Sequence, residues 1–271
     1  MEFLDGRIFE EPWLPSLSPE ERTVVWNEAV HTLAKLRSVD LTDIGLHSWK
    51  RPTSFYMRQI KALSKTSEAQ ASTASQPGAQ NVGKLPYYDQ ILSFFTDRKT
   101  HPPDVRRLVH GDFKLDNLVF HKTEPIVIGI LDWEMATEGH PLSDLANLLM
   151  PFSWAPQQVP FLISETLTPE LKELQSKFQP GNVAGIPSME QCQEWYRGGV
   201  DWDAAGSLDW GLAFSNFRTA VIMQGIAARI VRGQASGSMA REFAQQTLAY
   251  ASWGYARVEN LQYRLQFHSK I

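Results

Sequence analysis

Apolar positions change their period twice along this chain. Between residues 107 and 131 they fall in short runs, 107–110, 118–120 and 126–131, rich in Val, Ile and Leu and bounded by turn residues. That pattern predicts three strands joined by polar turns. Elsewhere the spacing is helical. Ser18-Pro19-Glu20-Glu21 supplies an N-cap, a proline at the first helical position and a capping-box glutamate, which predicts a helix over 18–38. Val25, Ala29, Leu33 and Leu36 recur on one of its faces and point to a core. A second helix is expected over 53–64. Large apolar residues then vanish from 65–81, so that stretch cannot offset its ordering entropy, and a mobile insertion is predicted within 65–84. Helices follow over 87–96 and over 141–150, the latter entered through Gly139-His140-Pro141, with an irregular stretch at 151–160. Ser188-Met189-Glu190-Gln191 opens a helix carrying Trp195 and Tyr196. The run 212–231 is apolar around much of its circumference and should be deeply buried, leaving Arg218 and Arg229 paired or facing a cleft. A final amphipathic helix spans 239–267. The fold class expected is α+β, mainly helical, with a small strand region.

Composition narrows the function classes. With 271 residues, the chain can bury a good core. A net charge of −4 argues against a nucleic-acid partner, which usually meets a basic stripe. The single cysteine, Cys192, excludes an intrachain disulfide and fits a reducing compartment; it reads as a small buried hydrophobe. No apolar run approaches the ~18 residues of a membrane span, and the N-terminus lacks a basic-then-apolar signal. A soluble intracellular protein is expected.

The candidate chemistry lies at the strand ends. His110-Gly111-Asp112 precedes Asn117 by a short polar turn, and Leu131-Asp132-Trp133-Glu134 closes the third run. Asp112 can accept the proton of an attacking hydroxyl while Asn117 and Asp132 hold Mg²⁺, an ion that takes few protein oxygens and completes its shell with water and phosphate. Lys114, two residues after Asp112, resembles in position the lysine that protein kinases set against the transferring phosphate, with a solvated turn lysine as the equal alternative. Glu134 either reaches the metal through water or makes a structural ion pair, and Asp116 shapes the turn. His110 orients the loop through its ring nitrogens, and His140 is a turn residue. A metal-dependent hydrolase built on His110, Asp112 and Asp132 is a weaker alternative, because no histidine pair has zinc-like spacing on one element.

The His110–Asn117 stretch resembles the catalytic loop of the aminoglycoside phosphotransferase and choline kinase group, distant relatives of the protein kinases. The Leu131–Glu134 stretch through Gly139-His140-Pro141-Leu142-Ser143-Asp144-Leu145-Ala146 is similar to that group's metal-binding segment and the helix after it. With Phe217-Arg218 and Gln224-Gly225-Ile226, the chain most resembles the kinase-like domains attached to some acyl-CoA dehydrogenases. The resemblance implies a C-terminal lobe of a protein-kinase-like fold over residues 1–271, with 1–6 a hinge remnant. It implies ATP and Mg²⁺ as cofactors and a small-molecule hydroxyl, that of a hydroxyacyl-CoA-like metabolite in preference to an antibiotic, as acceptor. Backbone near Glu2 and Leu4, with Val119 and Leu131, would meet the nucleotide. Asp144 would accept backbone hydrogen bonds from the catalytic turn, and Trp195, Tyr196 and Arg218 become acceptor-site candidates.

The chain departs from that group's pattern in one respect: it contains no G-x-G-x-x-G loop and no strand lysine ahead of the hinge. A non-catalytic, kinase-like binding lobe is therefore the rival expectation. The terminal Ser269-Lys270-Ile271 resembles the S-K-L peroxisomal address with isoleucine for leucine, making a peroxisomal location the alternative to a cytoplasmic one.

Overall fold

The computed structural model describes residues 3–49, 53–74, 81–154, 167–199 and 204–268. Glu2 of the expected hinge, residues 75–80 of the expected insertion, most of the irregular stretch and the terminal Ser269-Lys270-Ile271 lie outside them. Cα packing divides the chain into two compact units. The first gathers Met1–Phe55, Pro103–Ala155 and Leu174–Gly211; the second gathers Tyr56–Pro102, Pro156–Glu173 and Leu212–Ile271.

In the first unit, α1 (Pro19–Ser38) begins at the predicted capping box. Ser18 Oγ accepts from the Glu21 amide at 3.3 Å, and Glu21 Oε2 accepts from the Ser18 amide at 2.9 Å. Val25, Ala29, Leu33 and Leu36 are all buried, as their spacing predicts. Trp26 beside them is fully buried against the rings of Phe152 and Phe178, at 4.9 and 6.2 Å, while its indole N–H donates to Pro12. α6 (Met189–Gly198), capped by Ser188, packs on α1.

Among the described residues, four short strands make two antiparallel pairs. β1 (Arg107–Val109) pairs with β4 (Thr137–Gly139), and β2 (Leu118–Phe120) pairs with β3 (Val127–Ile130). Sequence periodicity finds the first three and misses β4, whose Thr-Glu-Gly carries no apolar alternation. The residues just before β2 and just after β3 are tied by the Leu131 amide donating to the Asn117 carbonyl at 2.8 Å. Arg7 exchanges backbone hydrogen bonds with Phe120, so the N-terminal segment lies across the β2–β3 hairpin. Gly6 is required there, because a Cβ would clash with the Phe120 carbonyl oxygen and stand 2.6 Å from Val119 Cγ1. α4 (Leu142–Leu148) follows β4 directly.

The second unit contains α2 (Phe55–Ala71) beyond its first residue, α3 (Tyr88–Thr96), α8 (Ser238–Gln245), α9 (Thr247–His268) and the greater part of α7 (Ala205–Val231). Phe95, Phe214, Phe217 and Tyr56 form its aromatic centre, with Phe214 5.2 Å from Phe95 and 5.0 Å from Tyr56 in edge-on contacts. Three expectations need correction here. α2 continues to Ala71 instead of ending at residue 64, because polar bonds replace the missing apolar burial. Ser67 donates to Gln224 Oε1 at 2.8 Å, Gln224 Nε2 donates to the Gly83 carbonyl at 2.8 Å, and Arg232 donates to Thr73 at 3.0 Å. The later half of α7 is not deeply buried: Ile222 is 44% exposed and Arg229 faces solvent. The single helix expected over 239–267 is two, broken at Gln246, where Thr247 Oγ1 donates back to the Ala244 carbonyl at 2.8 Å.

Candidate active site

Every element of the proposed site belongs to the first unit. β1 delivers His110-Gly111-Asp112 to a turn that only glycine can make. Gly111 has φ +89°, and a Cβ on it would lie 2.7 Å from both the Cβ and the carbonyl oxygen of Met135. α4 fixes that turn from behind. Asp144, almost wholly buried, accepts from the His110 amide at 2.7 Å and the Gly111 amide at 2.8 Å. This is the contact the resemblance implied, made by a carboxylate whose burial is matched by two backbone donors.

His110 joins the two halves of the site. Its Nδ1 accepts from the Asp112 amide at 3.2 Å, so the ring proton is on Nε2 and donates to the Leu131 carbonyl at 2.7 Å. Leu131 immediately precedes Asp132, which adopts the left-handed conformation, φ +60° and ψ +53°. The Trp133 indole N–H donates to the Ile130 carbonyl at 2.8 Å across this turn, and its ring lies 4.8 Å from the His110 ring. The strained position is therefore held from two sides. Since both His110 nitrogens are engaged, the hydrolase alternative loses its histidine ligand.

Asp112 and Asn117 come together. Asn117 Nδ2 donates to the Asp112 carbonyl at 2.8 Å and to Asp112 Oδ2 at 3.2 Å. Among the described residues nothing donates to Asn117 Oδ1 or to the exposed Asp132 carboxylate, so two oxygen donors at neighbouring ends of β2 and β3 remain free for a hard cation. Lys114 stands 3.6 Å from Asp112 Oδ2 and 3.1 Å from Asp116 Oδ2, which gives Asp116 a partner that sequence reasoning left unassigned. Burial pulls the Lys114 ammonium down, but the charge of Asp112 and the hydrogen bond and charge of Asp116 outweigh it and hold the group above its ordinary value. Glu134 is exposed and makes no ion pair among the described residues.

The remaining sequence-derived residues divide. Leu4 is half-buried over Gly129, where a Cβ would meet its Cδ1, and Leu131 is half-buried beside the Asp132 turn. Val119 is almost fully covered beneath Gly6. Trp195 is half-buried on α6, but Tyr196 is wholly buried and offers no substrate surface. Arg218 belongs to the second unit and is half-buried. Cys192 is fully buried, and burial pushes its thiol up, as its reading as a hydrophobe implies. Sequence reasoning missed Asn147, whose Nδ2 lies 3.3 Å from Asp112 Oδ1 and 3.1 Å from the Phe113 carbonyl oxygen. Its spacing gave a signal: it is three residues after Asp144, on the same face of one helix.

A glycine turn carrying a carboxylate, an amide-bearing residue five positions on and a second carboxylate on the adjoining hairpin thus stand within one compact unit. Residues 1–171 match the model of the phosphotransferase enzyme family, and the chain belongs to that family. It is 34% identical over 238 residues to acyl-CoA dehydrogenase family member 11 of Rattus norvegicus, covering 87% of this chain and 28% of the relative. It is 31% identical over 271 residues to the Gallus gallus protein of the same name, covering 99% of this chain and 31% of the relative. The chain thus spans under a third of the curated relatives it matches. Among solved structures, one from Ralstonia eutropha assigned to the aminoglycoside phosphotransferases superposes with TM-score 0.78 at 31% identity, over 96% of this chain and 72% of that one. An ethanolamine kinase of Plasmodium vivax shares the fold at TM-score 0.52 and 15% identity, over 100% of this chain and 65% of that one. Among the described residues no helix is long and apolar enough to cross a membrane.

Proposed function

We propose that this chain carries the acceptor-activating and metal-binding residues of an ATP- and Mg²⁺-dependent phosphotransferase that acts on a small-molecule hydroxyl. The observation that carries the reading is the Asn117 amide bridging to both the carbonyl and the carboxylate of Asp112 while its own oxygen stays free. Asp112 takes the proton of the acceptor alcohol. The alcohol oxygen bonds to the γ-phosphorus, and the bond from that phosphorus to the β-bridging oxygen breaks, its electron pair leaving with ADP. Asn117 and Asp132 would hold Mg²⁺, which when bound neutralises charge on the β- and γ-phosphates. Lys114, paired with Asp112 and Asp116, would face the oxygens of the group in transit. Leu4 and Leu131, with Glu2, supply the nucleotide contacts of this reading, whereas Val119, covered beneath Gly6, packs behind them and is dropped from the expected set. Relatives named as acyl-CoA dehydrogenases support a hydroxylated acyl thioester as acceptor in preference to an aminoglycoside.

Titration calorimetry of the full chain with Mg²⁺·ATP tests the assignment. Binding is expected, and Asp132→Asn should weaken it at least about tenfold, roughly 1.4 kcal/mol. Equal affinity in the variant would remove Asp132 from the metal site. No binding to the unmodified chain would favour a non-catalytic lobe. Transfer of labelled phosphate to hydroxyacyl-CoA against an aminoglycoside then reads the acceptor class.

A further inference from the structure

Asp112 is gripped from two directions. Asn117, from the turn before β2, reaches Oδ2 at 3.2 Å, and Asn147, from α4, reaches Oδ1 at 3.3 Å. The second N–H of the Asn147 amide is spent on the Phe113 carbonyl oxygen at 3.1 Å. That double use orients the amide, because turning it over would set its oxygen against a carboxylate and a carbonyl. The carboxyl torsion of aspartate is broad and roughly two-fold. One amide donor leaves the group free to swing about the contact, whereas two donors on opposite oxygens fix its plane.

We propose that Asn147 is the positioning residue for Asp112. By holding Oδ1 from α4, it leaves Oδ2 on the side of Asn117 and Lys114, where a transferring phosphate and its metal would lie. The inference rests on the reading of Asp112 as the acceptor of the alcohol proton. Asp144 and Asn147 then divide the work of one helix face: Asp144 sets the backbone of the turn, and Asn147 sets the side chain that the turn presents. Small displacements of a reacting group are costly, a 1 Å error being worth on the order of a hundredfold in rate.

The test compares Asn147→Leu, which keeps the shape and loses the donor, with Asn147→His, whose Nδ1–H restores a donor near the position of the lost amide. Crystal structures of the full-length variants are expected to show Asp112 in more than one carboxylate orientation in the leucine variant and in a single one in the histidine variant. With an accepted hydroxyl substrate, the leucine variant should lose roughly ten- to a hundredfold in kcat with KM for Mg²⁺·ATP unchanged, and the histidine variant should recover most of that loss. An Asp112 carboxylate that stays in one unchanged orientation in Asn147→Leu overturns the proposal, as does a histidine variant no better than leucine. Should the leucine variant fail to fold, an Asp112 orientation in Asn147→His that matches the parent supports it and a scattered one sinks it. Asp112→Asn separates the two levels: full turnover there would defeat the base assignment, while the carboxylate orientation in the Asn147 variants still decides the positioning claim.

Discussion

Asp144 Oδ1 accepts the Gly111 amide at 2.8 Å, so one buried carboxylate on α4 fixes the backbone conformation that a glycine makes possible. Its other oxygen takes the His110 amide. Asp144→Asn presents an NH₂ group to one of those donors and leaves it unpaired. The variant should lose about 2–3 kcal/mol of stability, the cost of an unsatisfied buried hydrogen bond to a charged group. Urea denaturation reads this directly; a loss below about 0.5 kcal/mol would mean that the turn holds without Asp144.

Lys114 distinguishes two roles that its sequence position leaves open. As a cation facing the transferring group, its loss in Lys114→Met should cut kcat by about 10²–10³ with little change in stability. A solvated turn lysine would leave kcat within a few-fold. Since neighbouring carboxylates raise its pKa, its favourable pairing is fully present below about pH 10.5 and fades only as pH climbs through the higher folded-state value.

His140 makes stability depend on pH in the opposite sense. Burial lowers its pKa from 6.5, against the raising effect of the bond to Pro103. Its Nδ1 accepts from the Leu142 amide at 3.2 Å and its Nε2–H donates to the Pro103 carbonyl at 3.0 Å, an arrangement that only the neutral ring satisfies. The unfolded chain binds the proton first on acidification, so stability should fall as pH drops below about 6.5 and level off beneath the folded-state pKa. Melting temperatures from pH 8 to 5 should show this slope, and His140→Gln should flatten it. An unchanged slope would assign the acid sensitivity elsewhere.

Gln224 replaces a hydrophobic anchor for the end of α2. Gln224→Leu strands the Ser67 hydroxyl and the Gly83 carbonyl, and should cost about 1–3 kcal/mol. Amide hydrogen exchange should accelerate from Ser67 to Thr73 while α3 keeps its protection. Uniform acceleration across both helices would refute a local role.

Much of this arrangement is legible in the sequence because it rests on local chemistry. Ser18 to Glu21 announces α1, and the runs around His110, Leu118 and Ile130 announce three of the four strands. The pairing of Asn117 with Asp112 follows from a five-residue spacing around a tight turn. What escapes depends on partners distant in sequence. β4 exists because β1 pairs with it, with Leu108 opposite Glu138, and its own residues carry no strand pattern. The end of α2 is held by Gln224, which follows Ser67 by 157 positions. The later half of α7 reads as core all round because apolar residues ring it, yet Ile222 and Arg229 face water. Asn147 was hidden among apolar neighbours, although its offset from Asp144 places it on the informative face.

His110 and His140 repeat one device: each accepts an amide two residues ahead and donates to a remote carbonyl. Neither imidazole keeps a lone pair available to an electrophile. A histidine-acylating reagent such as diethyl pyrocarbonate should therefore label exposed His47 readily and spare both motif rings, until denaturant frees them together.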